Sequence, residues 1–144
     1  MMAKLSLPVI ILICIGLLLA ACSAGGGPAI EGTRSWFQAL ANLDIEQVMK
    51  LTCSNPRVRD EIELRLEPFN DIKDSLAALK GQFDFSGLKF EEKSNDGRIA
   101  TVRLSGKMYL KALGQTQPLS LYEDITVINE NGEWKVCANP LLNQ

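Results

Sequence analysis

The chain has 144 residues, with 15 basic and 17 acidic side chains, four Cys and no His. That length fits one domain and leaves no room for a dinucleotide-binding domain joined to a second one. The lack of His excludes His-based catalytic triads and the commonest zinc and haem sites. The mild acidity excludes the clustered basic charge that nucleic acid requires.

In residues 1–21 Lys4 is the one charge in an otherwise apolar run. A short positive region, an apolar stretch from Leu5 to Leu19 and then small residues form the anatomy of a secretory signal. The stretch is slightly short for a spanning helix, which needs about 20 apolar residues, and Pro8 lies near its start. It ends in Leu19-Ala20-Ala21-Cys22. This resembles the bacterial lipobox, in which an aliphatic residue and two small residues precede a cysteine. The resemblance implies a signal peptide over 1–21 removed after Ala21, a diacylglyceryl group on the Cys22 sulfur and a palmitate-like acyl chain on the new amine. Two or more chains anchor a protein stably, at about 0.8 kcal/mol per buried methylene. The implied location is the bacterial cell envelope, with the membrane as a partner through lipid on Cys22. Ser23, rather than Asp, follows Cys22, which resembles the signal for sorting to an outer membrane where the organism has one. An uncleaved anchor with an incidental cysteine is the alternative.

The 123 residues after position 21 hold 14 basic and 17 acidic side chains, a net charge of −3. They can bury roughly two-thirds of the surface exposed on unfolding, enough for one core. Residues 22–28, Cys-Ser-Ala-Gly-Gly-Gly-Pro, read as a lipidated flexible tether, and residues 29–144 as a single domain. With Cys14 leaving with the signal and Cys22 lipidated, Cys53 and Cys137 remain as one even pair. In an exported protein such a pair suggests a disulfide, with two separately buried thiols as the alternative. No metal or other cofactor is expected from two Cys without His.

Ile30, Thr33, Phe37, Leu40 and Ala41, with Trp36 beside them, recur at helical steps and predict a helix over about 29–43. Asp44 with Gln47 three positions on reads as a capping-box variant opening a short helix that buries Ile45, Val48, Met49 and Thr52. Pro56 suits the first turn of a third helix, whose stripe runs from Val58 through Leu79, with Pro68 expected to break or kink it. Arg57, Arg59 and Arg65 interleave with Asp60, Glu61 and Glu63, as on an exposed helix face. The second half switches to period two. Phe83, Phe85, Leu88 and Phe90 change phase near Gly87, which predicts one bulged strand. Asn95-Asp96-Gly97 is a hairpin signal, and Ala100 to Leu110 alternate with polar residues as a half-buried strand. Leu119, Leu121, Ile125 and Val127 predict a third strand, and Asn131-Gly132 turns into a fourth over 134–137. Helices followed by a meander with one wet face define an α+β fold: N-terminal helices packed on an antiparallel sheet of about four strands.

Trp36-Phe37-Gln38-Ala39-Leu40 leading into Leu43-Asp44-Ile45-Glu46-Gln47-Val48-Met49, with a sheet closing on Asn131 to Cys137, resembles the nuclear-transport-factor-2-like domains of the cystatin-like fold. The resemblance covers about residues 30–138. It implies a curved sheet with the helices on its concave side, a cone holding a small apolar pocket. Trp36, Phe83, Phe85 and Glu123 are the pocket candidates. It further implies a non-enzymatic binding or interaction domain for a small apolar ligand or an envelope protein partner. The alternative is an isomerase- or cyclase-like pocket enzyme with a carboxylate base, for which Glu123 and Asp124 are candidates, with Tyr122 and Tyr109 as hydrogen-bond donors. A structural module without an open pocket is a third reading. Strict alternation puts Glu123 on the apolar face with Leu121 and Ile125, and Asp124, Tyr122 and Tyr109 on the other; a bulge at 123–124 would instead turn both carboxylates to solvent. The same alternation sets Cys137 away from the face of Trp134 and Val136. A Cys53–Cys137 bond therefore requires the strand to end or twist there.

Overall fold

The structure, a computed structural model, describes residues 26–138. The expected signal peptide, Cys22 and most of the tether lie outside the described residues.

Helix α1 spans Pro28–Ala41, with Pro28 in its first turn, where a missing N–H leaves nothing unsatisfied. It buries Ile30, Thr33, Trp36, Phe37 and Leu40. The end falls at Asn42, short of position 43, because Leu43 turns into the left-handed region at φ 52° while staying buried. Helix α2, Ile45–Lys50, begins as its sequence implies: Asp44 Oδ1 accepts the Gln47 N–H at 3.1 Å. Helix α3 spans Pro56–Ala78, with Asn55 Oδ1 accepting from the N–H groups of Arg57 and Val58. Pro68 lies inside α3 and does not break it. The carbonyl left without an N–H is that of Leu64, four residues back, and Leu64 and Pro68 are both exposed, so water can satisfy it.

Five antiparallel strands follow: β1 Gln82–Asp84, β2 Leu88–Asn95, β3 Ile99–Ala112, β4 Gln115–Glu130 and β5 Glu133–Val136. Both β1 and β2 pair with β3, then β4 and β5 complete the order. The expected bulged strand is thus two. Asp84 pairs with Tyr109 and Leu88 with Gly106, so three residues of the edge face two of β3, and the inward phase shifts from Phe83 to Leu88 and Phe90. Gly106 permits the shift: at φ 120° it sits so close to the Gly87 carbonyl oxygen that a Cβ would collide with it. The third predicted strand, by contrast, starts four residues too late. β4 begins at Gln115, joined to β3 by the two-residue turn Leu113-Gly114, whose φ values of 53° and 75° match a primed hairpin turn. Leu at the first turn position is the reason the turn escapes a search for Asn-Gly or Asp-Gly. Asn131-Gly132, at φ 56° and 90°, forms the β4–β5 turn as expected.

β3 and β4 pair without a break in register from Ile99–Ile128 to Ala112–Gln115. Their inner face carries Ala100, Val102, Leu104, Leu121, Ile125 and Val127, all buried against α1 and α3. The hydrophobic transfer of such side chains is worth about 1.5–3 kcal/mol each, and it fixes the register because a one-residue slip would expose them all. β5 covers only Val127–Glu130 of β4, and Cys137 N–H donates to the Thr126 carbonyl at the end of that ladder. Ahead of it, the outer edge of β4 pairs with no described strand. Pro118 has the same parity as Thr126, so the position without an N–H points to that open edge rather than into the β3 ladder.

The segment 51–53 lies along β5, with Cys53 N–H donating to the Val136 carbonyl and Val136 N–H to the Leu51 carbonyl, both at 2.9 Å. Cys53 and Cys137 are bonded, with Cα atoms 5.1 Å apart. The strand ends at Val136, one residue before the fourth strand was expected to end, and that freedom lets Cys137 reach Cys53. The fold is α+β, with the helices packed on a curved antiparallel sheet.

Candidate binding cleft

Trp36 and five Phe rings form a connected chain. Phe37 meets Trp36 edge-on at 5.1 Å between ring centroids and lies 5.8 Å from Phe85 and 5.9 Å from Phe90. Phe83 lies 6.4 Å from Phe85 and 6.4 Å from Phe69 of α3. Such pairs contribute about 0.5–1.5 kcal/mol each beyond their buried area. The chain runs from the fully buried core at Trp36 outward to the half-buried Phe83, Phe85 and Phe90.

That outer end opens into a cleft of about 580 Å³ between α1 and the β1–β2 edge. Phe37, Phe83, Phe85 and Phe90 belong to its apolar lining, and Arg34 and Gln38 of α1 with Asn42 at its C-terminal end stand along one side. Asp84 and Ser86 lie at the bulge. The Asp84 carboxylate accepts from Lys111 Nζ at 2.6 Å and from the Ser86 hydroxyl and N–H at 2.6 and 2.9 Å, and these bonds hold its pKa far below the usual carboxylate range. The size and character suit a small ligand with an apolar body.

Of the four pocket candidates from the sequence, the structure brings Phe83 and Phe85 together in this cleft. Trp36 is not on its surface: the side chain is wholly buried, and its indole N–H donates to Thr52 Oγ1 at 3.0 Å, while Thr52 in turn donates to the Val48 carbonyl. It joins α1 to the end of α2. Glu123 does not line the cleft either. It sits on the inner face opposite Leu104, without the bulge that would have turned it out, and burial pushes its pKa up. No hydrogen bond or ion pair to Glu123 exists among the described residues.

Asp124 and Tyr122 lie on the outer face, as alternation implied. Arg103 grips Asp124 through two bonds of 2.7 and 2.8 Å and lies 5.3 Å from the centre of the exposed Tyr122 ring. The pair lowers the Asp124 pKa and raises that of Arg103. Tyr109 pairs with Pro118 on the same side. The carboxylates proposed as bases therefore do not converge with a donor in one cleft.

Arg34, Gln38 and Asn42 were not singled out in the sequence. Their four-residue spacing beside Trp36-Phe37 was the available signal, but a polar stripe next to a buried one is what any amphipathic helix shows. The sequence pattern places Arg59 on an exposed charged face. It is instead half-buried and donates to the Met49 and Thr52 carbonyls, closing the C-terminal end of α2. No described group of three or more acidic or Cys side chains could hold a metal ion.

No protein-family model matches this chain, and no curated protein matches it in sequence.

Proposed function

We propose that this is a lipid-anchored protein of the bacterial cell envelope whose domain binds a small apolar ligand without turning it over. The observation that carries the binding role is the cleft of about 580 Å³ lined by Phe37, Phe83, Phe85 and Phe90. Two of those rings, Phe83 and Phe85, are also pocket candidates that the family resemblance implies. Against catalysis stand the positions of the carboxylates: Glu123 lies away from the cleft and Asp124 is held by Arg103 on the other face. A nuclear-transport-factor-2-like relationship is part of the proposal, supported by the order of helices before a curved sheet that folds around them. The anchor rests on Leu19-Ala20-Ala21-Cys22, and the Cys53–Cys137 disulfide agrees with export.

Two experiments test the halves separately. Metabolic labelling with an alkyne fatty acid should tag the protein, and Cys22→Ala should abolish the tag; a tag that persists removes the lipid anchor. Titration with a neutral apolar fluorophore such as 2-naphthamide should show saturable binding that Phe85→Ala weakens. Binding unaffected by Phe85→Ala would place the ligand elsewhere.

A further inference from the structure

The cleft is chemically uneven along its length. Arg34 and Asn42 stand on the same side of α1, eight residues apart, which sets the length of that wall at roughly 12 Å. Arg34 is the one cationic side chain on the lining, and Asp84, the one acidic residue there, is committed to Lys111 and Ser86. The Arg34 guanidinium lies 5.6 Å from the centroid of Phe90, so an aromatic face already orients it at the cleft. Its present anionic partner is Glu31, three residues back on the same helix, through a single 2.9 Å contact between side chains about half exposed. Exposed pairs of this kind are weak and exchange readily. The remaining guanidinium N–H groups have no hydrogen-bond partner among the described residues.

We propose that Arg34 is the anion-recognising residue of this cleft and that the ligand class is an aromatic carboxylate. This rests on the reading of the cleft as a ligand site and adds the charge and shape of what fills it. The aromatic body lies among Phe83, Phe85 and Phe37, where edge-to-face contacts are available from several directions. The carboxylate meets the planar fork of Arg34, which matches it with two parallel hydrogen bonds and displaces Glu31. Orientation follows from the lining: the cation stands beside Phe90, and the pre-committed Asp84 offers an anion nothing.

The test compares 2-naphthoate with its neutral isostere 2-naphthamide, titrated by fluorescence against the full chain in lipid nanodiscs, with empty nanodiscs subtracted. The acid should bind the wild-type protein about tenfold or more tightly than the amide, the scale of a hydrogen-bonded charge pair. Arg34→Met should abolish that preference, so that acid and amide bind the variant with equal affinity; the side chain is exposed, so the variant folds, which circular dichroism checks. Glu31→Gln should tighten the acid roughly two- to threefold, with no effect on the amide, because it removes a competing carboxylate. A purely steric role for Arg34 would not respond to that change. Equal affinity for acid and amide, or a preference that survives Arg34→Met, overturns the proposal while leaving the cleft as an apolar site. If neither probe binds at millimolar concentration, the ligand reading falls with it.

Discussion

Breaking the Cys53–Cys137 bond tests whether the domain is held mainly by its core or by its staple. The bond closes a loop of 84 sequence steps, for which the chain-entropy model gives about 4.5 kcal/mol, with strain and residual unfolded-state structure reducing it toward 2–4 kcal/mol. Backbone bonds that do not involve the sulfurs join the same segments: Cys53 N–H to Val136, Val136 N–H to Leu51, and Cys137 N–H to Thr126. The reduced protein should therefore keep its native fold and lose stability on the order of 3 kcal/mol, lowering the Tm by on the order of 10 °C. Cys53 is wholly buried, so the variant to use is Cys53→Ala/Cys137→Ala, which leaves no hydroxyl in the core. Urea unfolding should show a lower midpoint and an unchanged or larger m-value, since the unlinked unfolded chain exposes at least as much surface. The split of the loss between the two arms of the chevron then reads how far Cys53 and Cys137 have approached each other in the transition state. An unchanged midpoint would refute the entropic reasoning.

Three further changes follow from local geometry. Gly106→Ala should destabilise by at least about 2 kcal/mol, because the left-handed backbone and the Gly87 carbonyl both oppose a Cβ; thermal melting within about 1 °C of wild type would contradict this. Pro68→Ala should stabilise α3 by about 1–2 kcal/mol by restoring the hydrogen bond to Leu64, offset in part by the greater freedom of the unfolded chain, and urea midpoints check it. Glu123→Gln should raise stability at pH 7. Burial raises the folded-state pKa of Glu123 above its ordinary value, so the fold gains stability as pH falls through the raised pKa, and the gain is complete below the ordinary carboxylate pKa. The wild-type and Gln curves should thus converge near pH 4. A Gln variant less stable at pH 7 would mean that the charged carboxylate has a stabilising partner.

What could be read in the sequence was whatever depends on periodicity and local chemistry. The Asp44 cap, the Pro56 start, the phase change at Gly87 and the Asn131-Gly132 turn are each set by residues within a few positions of one another, and each is found. The Leu113-Gly114 turn was missed because β3–β4 pairing along fourteen residue pairs imposes it, against the local preference of Leu. Pro68 was overestimated because its cost depends on whether the orphaned carbonyl meets water, which is a tertiary fact. The cleft was half legible: Phe83 and Phe85 declare themselves as an aromatic strand edge. The polar side, Arg34 to Asn42, becomes distinctive only when α1 is laid against that edge. Trp36 is a pocket candidate through the family resemblance, yet a fully enclosed indole with its N–H satisfied is a core residue.

The open edge of β4 bears on how the protein behaves at high concentration. Unpaired strand edges template addition of further chains, and a run as long as the free part of β4 would otherwise be a growth point for fibrils. Pro118 sits where an incoming strand would need a donor, so any such ladder is interrupted toward the Gln115 end of the open edge. The adjacent Tyr122 and Asp124, tied up with Arg103 on the outer face, place polar and charged groups beside the same edge. Among the described residues no element covers this edge, and a single imino acid within it interrupts the hydrogen-bond lattice that an added chain would extend.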